Sequence, residues 1–590
     1  MSLRALPFED EDEQRRLSVF HLVGLAAGGV IGSGWMLGAG EAYGKAGSDA
    51  WLAWLFGGLL MLLIAGVMVE LGTAAPKTGG LIFLPLQSSG ALVATVMAAG
   101  LWLVYAINLA SEAVAMTKGL SGWKGVHGLL DPSDTLTTEG WCYALGFMAA
   151  ISAVNLIAPR IFFRINSWLT VLKVVVPVLT VVLLIAAGFD DSGLQASEPS
   201  AGKGAAAALT AVVGSGVIYA YVGFQGPLDF AGNVKRRPPG EAARLRRAVF
   251  GTIIGSMVLY IALQIVFTRY HDAAWSTANM GSSPYAHFAS AAGLFWLGVL
   301  LRVNGVISPM GAGLVFAHSL TREVAALSRA HLTHRGLQTA RKASLKRRYD
   351  VYWLVLVVDC VIAGIALWAV GGSWRTLVAV TGVLTLVVYA VPGVALVSLR
   401  GYLPAHSDRR RDAHEVLARA SFALIALILY GAGWGPLWQG MTALTVGSAL
   451  LLCLPILAGW LPALGRIYDA KVHVTQFRDW RTSPAAQAAL WLIGQLAVLM
   501  LVTLVLGDSP ITLDHKVLGG FLAVVTALVS FEGLVRASKQ HMTEIPPMLP
   551  APGPGQRPKG ARGSVESAAT AARARPATTD PQPSAIAKTE

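Results

Sequence analysis

Gly28-Gly29-Val30-Ile31-Gly32-Ser33-Gly34-Trp35 places four glycines within seven residues inside an otherwise apolar run. Glycine is a poor helix former and releases the backbone from helical angles. A helix starting near Val19 is therefore expected to lose its hydrogen-bond ladder around Gly32 to Gly34. In hydrocarbon, unpaired backbone groups are tolerated only where they face protein or a water-filled cavity, and there they become donors and acceptors for a ligand. A close helix crossing built on small residues is the other reading of the same glycines. A second interrupted segment shifts the balance: Val217-Ile218-Tyr219-Ala220-Tyr221-Val222-Gly223-Phe224-Gln225-Gly226-Pro227-Leu228-Asp229-Phe230. Pro227 has no amide proton and clashes with the carbonyl four residues back, and two glycines precede it, so an unwound turn is expected there.

The setting of both breaks is a membrane. Of 590 residues, 54% are hydrophobic and 13% charged, about half the ~25% charge of a soluble globular chain. Fourteen apolar segments of span-like length follow one another: 19–42, 51–73, 91–117, 141–156, 169–187, 205–230, 248–268, 289–317, 353–370, 377–399, 420–437, 441–461, 488–506 and 517–535. A span needs about 20 residues, so 141–156 is the weakest of them. Cys142, Cys360 and Cys453 lie in or beside apolar runs without metal-ligand spacing, which supports neither a disulfide framework nor a metal site.

The net charge of +13 invites a nucleic-acid reading, but the bases cluster in short loops, as cytoplasmic loops of multispanning proteins do. Lys235, Arg236, Arg237, Arg244, Arg246 and Arg247 follow the sixth segment; Arg322 to Arg348 follow the eighth; Arg400 and Arg409 to Arg419 follow the tenth. The loops after segments five, nine and thirteen are poor in bases, holding Asp190, Asp191, Glu198 and Lys203, then Arg375, then Asp508, Asp514 and Lys516. Even-numbered segments are thus expected to end in the cytoplasm, which places both termini there. Residues 1–17 carry the acidic run Glu9 to Glu13 and lack the features of a signal peptide. Beyond about Pro546 the chain turns to Pro, Ala, Gly, Arg and Ser, too poor in large apolar residues to fold.

The breaks fall in segments one and six, five spans apart, so the second unit is inverted relative to the first. Interrupted helices at matching positions of inverted halves point to a transport site. Here the residues carry a resemblance. Gly28 to Trp35 resembles the first-helix motif of the amino acid-polyamine-organocation superfamily of transporters, and Tyr219 to Lys235 is similar to its sixth helix and the stretch after it. Glu70-Leu71 with Pro76-Lys77-Thr78-Gly79-Gly80, Asn166 to Pro177, and Ile307-Ser308-Pro309 running to Arg322 support it, across roughly residues 15–400. The resemblance implies an all-α polytopic membrane protein with a LeuT-like five-plus-five inverted repeat, broken helices 1 and 6, and about fourteen spans in all. With helices 11–14 resting on hydropathy alone and the tail on composition, the chain is expected to divide into a cytoplasmic segment 1–17, a ten-helix transport core 18–400, additional helices 11–14 over 401–535, and a disordered cytoplasmic tail 536–590.

The resemblance also implies an amino acid permease of the cell membrane and a set of binding residues. A half-helix N-terminus offers free N–H groups with about half a positive charge, and a half-helix C-terminus offers carbonyls. Ser33 and Gly34, with Gly32, are expected to hold the substrate carboxylate. The carbonyls around Ile31 and at Tyr221, Val222 and Phe224 are expected to receive the ammonium, with Gly223 and Gln225 completing the second turn. Tyr219 stands where family members carry an aromatic gate. Lys173, in the apolar Leu172-Lys173-Val174 stretch, resembles the fifth-helix lysine that stands in for sodium in proton-coupled members; a snorkelling lysine is its plainer reading. Proton symport is the expected mechanism.

Gln225 departs from the glutamate that many members carry and cannot titrate. Glu112 and Asp229 cannot be placed in the site from sequence, and Glu70, Asp359 and Glu532 read as paired or interfacial acids, which leans the expected substrate towards a neutral amino acid. No HExxH, Walker A loop or clustered His/Asp/Glu set supports an enzyme or a cofactor. The expected partners are an amino acid, protons and the bilayer, with no nucleic acid; oligomeric state is not legible. An exchanger, a cationic amino acid or polyamine carrier, and a sensor that binds without transporting share these features.

Overall fold

A computed structural model of the chain describes residues 19–75, 80–123, 125–126, 128–157, 159–187, 201–226, 241–270, 284–329, 332–339, 341–342, 350–403, 408–460, 481–507 and 513–547. The first apolar run forms α1 (Val19–Val30) and α2 (Gly34–Ala46), separated at Ile31, Gly32 and Ser33. The ladder fails where it is expected to. Ile31 N still reaches Ala27 O at 2.9 Å, but Gly32 N turns to Val30 O at 3.1 Å, and Met36 N and Leu37 N both bond Ser33 O at 3.1 Å to begin the new helix.

After α3 (Ala50–Ala74), α4 (Gly80–Ser89), α5 (Ala91–Ser121), α6 (Thr138–Ile157) and α7 (Pro159–Ala186), the sixth segment is interrupted twice. α8 (Gly204–Gly214) ends at Ser215 and Gly216, the latter at φ 75°, and the five-residue α9 (Val217–Tyr221) gives way to a turn over 222–225. Gly223 adopts φ 119° there, a conformation costly for any residue with a Cβ. Pro227, expected to help break this helix, lies outside the described residues, as does Asp229. The two breaks touch. A Cβ on Gly223 would stand 2.5 Å from the carbonyl carbon of Gly29, and one on Gly29 would stand 2.9 Å from Gly223 Cα. The glycines are thus what allows two unwound backbones to meet.

The rest of the bundle holds this crossing. α10 (Glu241–Tyr270), α11 (Pro284–Ala291), α12 (Phe295–Arg329), α13 (Trp353–Ala369) and α14 (Trp374–Ser398) complete the first ten segments, with a two-residue antiparallel pair, β1 (Arg341–Lys342) and β2 (Asp350–Val351), before α13. α5 and α14 are buried along nearly their whole length and form the centre. Such helices read as apolar all round because every face meets protein. α15 (Asp408–Gly431), α16 (Trp434–Trp460), α17 (Pro484–Leu506) and α18 (Leu513–Glu544) pack onto α3, α4, α5 and α14. Among the described residues, ten helices are long and apolar enough to cross a membrane.

Three differences from the sequence expectation stand out. The segment expected at 289–317 is split by Gly293, at φ 76°, so that α11 ends before a 35-residue α12 that runs on to Arg329. The helix α4, with Pro85 inside it, was not expected. The final helix continues through Glu544, so residues 536–544 are not part of a tail. Arg536, Lys539 and Gln540 end the apolar run in sequence, yet Ala537, Ser538, His541 and Met542 are buried at helical spacing, with Ser538 Oγ 2.8 Å from Ser89 Oγ on α4. Residues 548–590 lie outside the described residues.

Ion pairs mark one end of the bundle. Glu70 at the end of α3 meets Arg246 of α10 at 2.5 Å and His414 of α15 at 3.8 Å. Glu415 of α15 meets Arg400 after α14 and, at 3.2 Å, Arg419, which reaches Glu532 of α18 at 2.7 Å. Arg246, Arg400 and Arg419 thus share an end with one another, as the alternation of loop charge requires; Lys235 to Arg237 and Lys346 to Arg348 lie outside the described residues.

Candidate functional site

Several polar groups exposed by the first break have partners from other helices. The amide of Ser33, freed at the start of α2, donates to the Glu112 carboxylate of α5, 3.1 Å to Oε2 and 3.4 Å to Oε1. The carbonyls of Ile31 and Gly32 accept from Ser308 Oγ of α12 at 3.2 and 3.1 Å. Tyr260 of α10 donates to Val30 O at 3.0 Å and lies 3.1 Å from Ala220 O, bridging the two broken helices. Lys173, fully buried in α7, donates from Nζ to Gly28 O at 2.5 Å. It therefore holds the back of the break rather than reaching the headgroup region, so the snorkelling alternative does not describe it.

Gly32 and Gly34 are present for want of room. A Cβ on Gly32 would stand 2.2 Å from Glu112 Oε1, and one on Gly34 2.6 Å from the Cβ of Ala220. The positions assigned to the substrate carboxylate thus surround an anion-binding amide, but a carboxylate of the protein itself sits on it.

Tyr219 faces this spot from α9. Its hydroxyl donates to Glu112 Oε1 at 2.8 Å and lies 2.7 Å from Ser111 Oγ and 3.5 Å from Ser33 Oγ. Trp374, at the start of α14, donates from Nε1 to Ser33 Oγ at 3.3 Å and meets the Tyr219 ring edge-on at 6.2 Å. Gln225 closes the second break. Its Oε1 accepts from Gly223 N at 2.9 Å and from the Tyr389 hydroxyl at 2.8 Å, while Nε2 donates to the Tyr105 hydroxyl at 3.4 Å. Phe224 packs edge-on against Tyr389 at 5.6 Å. Tyr221 turns away from Ser33: its hydroxyl bonds Trp54 O at 3.0 Å within a cluster of Trp54, Tyr221 and Tyr260 rings. Val222, extended at ψ 139°, carries the chain out of the short helix.

Trp374 also lines a hollow formed with Leu37, Gly40, Glu41, Lys118 and Phe267 at the C-terminal end of α2. Its indole therefore stands between that hollow and Ser33. The hollow is bordered by ion pairs, Glu41 to Arg375 at 2.6 Å and Lys118 to Asp134 at 2.5 Å. Outside the spans, Asp131 closes the adjoining turn by accepting from Thr135 N at 2.8 Å, and these bonds to the turn hold its carboxyl below the usual range. Among the described residues no group of three His, Cys, Asp or Glu side chains could hold a metal ion.

The sequence reading missed Glu112, Ser308, Tyr260 and Trp374 as neighbours of the break. Glu112 left a signal: it is the only acid within the 31 residues of α5, and Tyr105, Asn108, Ser111 and Glu112 recur at helical spacing on one face. An ionisable group in such a helix is functional by default. Trp374 left none, because an aromatic at the start of an apolar segment has many ordinary roles.

The comparisons with known proteins give the family. The amino acid permease family matches residues 17–459. The glutamate/serine transporter AimA of Bacillus subtilis (strain 168) is 28% identical over 469 residues, covering 78% of this chain and 85% of that protein. The aspartate-proton symporter of the same organism is 26% identical over 510 residues, covering 84% and 91%. The L-asparagine permease 2 of Mycobacterium tuberculosis (strain CDC 1551 / Oshkosh) is 26% identical over 335 residues, covering 54% and 64%. With its many apolar helices the chain is a multi-pass membrane protein and a transporter rather than an enzyme; it belongs to the amino acid permease family of the amino acid-polyamine-organocation superfamily.

Proposed function

We propose that the protein imports an amino acid across the plasma membrane by proton-coupled symport with alternating access. The observation that carries this is the meeting of two unwound helices at Gly29 and Gly223, beside the anion-binding amide of Ser33. The proposal includes fourteen spans with both termini in the cytoplasm, ten of them forming a five-plus-five inverted repeat over 18–400, and helices 11–14 added outside it.

The substrate carboxylate takes the amides of Ser33 and Gly34 with Gly32, at the positive end of α2. The ammonium takes the carbonyls near Ile31, Tyr221, Val222 and Phe224. Gly223 and Gln225 keep the second turn open, and Tyr219 with Trp374 closes the site against the hollow at Glu41. Lys173 links the cycle to protons: its ammonium fastens Gly28 O, and loss of that proton would release α1. A neutral amino acid is the preferred substrate, because the acid and base beside the break, Glu112 and Lys173, are already engaged by Ser33 N and Gly28 O. An acidic amino acid is a second reading, favoured by the glutamate and aspartate in the names of two relatives.

Uptake of labelled serine, asparagine, glutamate and aspartate into proteoliposomes tests the proposal. Accumulation driven by an inward proton gradient, and lost in Lys173→Ala while counterflow of the same amino acid continues, is the expected result. Uptake that needs a preloaded internal amino acid and ignores the gradient would instead define an exchanger.

A further inference from the structure

The Glu112 carboxylate occupies the place that the transport reading assigns to the substrate carboxylate. It accepts from the Ser33 amide at the start of the 13-residue α2, and it is almost wholly buried, with 1% of its surface exposed. The fit is close. A single Cβ at Gly32 would already stand 2.2 Å from Oε1, and α12 closes the other side with Ala312 and Gly313. A second carboxylate cannot bind the same amide while the first remains there as an anion, because two like charges at such a distance do not both stay ionised in one site.

We propose, resting on the transport reading above, that Glu112 is an internal stand-in for the substrate: its carboxylate caps the α2 amide when the site is empty, and the incoming amino acid carboxylate displaces it as the neutral acid. The proton it binds comes from the solution on the side where the substrate enters. It leaves on the other side when the substrate departs and the Glu112 carboxylate returns to Ser33 N. One proton is bound and one released per substrate, and no other bond is made or broken.

The hydroxyls around Glu112 accommodate both of its forms. With the carboxylate present, the Tyr219 hydroxyl donates to Oε1 at 2.8 Å and can itself accept from Ser111 Oγ at 2.7 Å. With the acid present, Glu112 donates to Tyr219, Tyr219 donates to Ser111, and Ser111 donates to Asn108 O at 3.0 Å. Each arrangement gives every hydroxyl proton an acceptor, so protonation of Glu112 strands no buried donor. Among the described residues, the titratable groups that face Glu112 are Lys173 from α7, Tyr219 from α9 and Tyr260 from α10; the α1–α2 break meets it with backbone, and α12 with Ala312 and Gly313. Lys173 is fastened to Gly28 O behind the break, whereas Glu112 lies on the amide in front of it. The two charges attract one another across the break, and in the proposal Lys173 sets α1 while Glu112 reads the substrate carboxylate.

The test is proton uptake on binding, read with a pH-indicator dye in weakly buffered detergent solution, using serine, asparagine, glutamate and aspartate as probes. Binding to the wild type should take up about one proton per amino acid, and above the range where Glu112 is protonated the apparent Kd should rise about tenfold per pH unit, as one-proton linkage requires. Serinamide, which lacks the carboxylate, should produce neither effect. Glu112→Gln, whose amide cannot carry the charge, should still bind, with proton uptake lost and Kd independent of pH, and should exchange amino acid at equal pH without gradient-driven accumulation. A monodisperse Glu112→Gln that still takes up the proton, or that fails to bind, overturns the proposal. A wild type whose Kd does not change with pH overturns it without recourse to any variant. If wild-type protein transports none of the four amino acids, the transport reading itself falls; if it transports them while Glu112→Gln keeps its gradient dependence, only the role of Glu112 falls.

Discussion

Gly32 shows how one missing Cβ sets the chemistry of the site. The Glu112 carboxylate reaches Ser33 N only because nothing stands 2.2 Å from its Oε1. In Gly32→Ala the side chain must leave, stranding a buried amide at a cost of about 1–3 kcal/mol. Thermal unfolding should show that loss. The double variant Gly32→Ala/Glu112→Ala should lose less than the sum of the two single changes, because the clash and the displaced charge are then absent together. Strictly additive losses would mean that Gly32 and Glu112 do not share this space. Ser33 and Gly34 are legible from the glycine pattern alone. Their internal partner is not, since α5 lies 79 positions away and only packing brings Glu112 to Ser33.

At the scale of the element, the two broken helices depend on each other. Gly223 combines φ 119° with a contact in which an added Cβ would stand 2.5 Å from Gly29 C and 2.8 Å from Val30 N. Strain of this kind costs about 1–3 kcal/mol, and the neighbouring atoms are backbone that cannot rotate aside. Gly223→Ala should therefore abolish uptake and lower the unfolding temperature. Gly251→Ala is the control, because nothing lies within 4 Å of its added Cβ, and its stability should stay within ~0.5 kcal/mol of wild type. Equal behaviour of the two variants would show that the breaks do not need to touch. Gln225 belongs to the same scale. As an amide it can accept from Gly223 N and Tyr389 while donating to Tyr105, and it serves the turn with hydrogen bonds where the family pattern more often carries a charge.

For the whole molecule, the four helices α15 to α18 are packed into the bundle rather than appended to it. α18 continues past its apolar stretch so that Ser538 meets Ser89 and His541 lies beside Gly90. Truncation after residue 547 should leave the unfolding temperature unchanged. Truncation after residue 535 uncovers α4 and removes buried Ala537 and Met542, and should lower stability by ~2 kcal/mol or more. Identical melting of the two truncated proteins would refute a structural role for 536–544.

The sequence by itself determined the membrane setting, the two broken helices and the family, because each of these is written in local terms: apolar length, glycine and proline placement, and motifs of fewer than twenty residues. It also marked the freed amides at the start of α2, since the glycines of the break release the backbone there. Only the tertiary structure decided what lies against those groups. Glu112, Ser308, Tyr260 and Trp374 come from four different helices, and a hydropathy pattern records how deep a residue sits along a span but not which neighbour its face meets. The extent of α18 escaped for the same reason: its last turns are polar in sequence, and are helical because α4 offers a surface to bury them against.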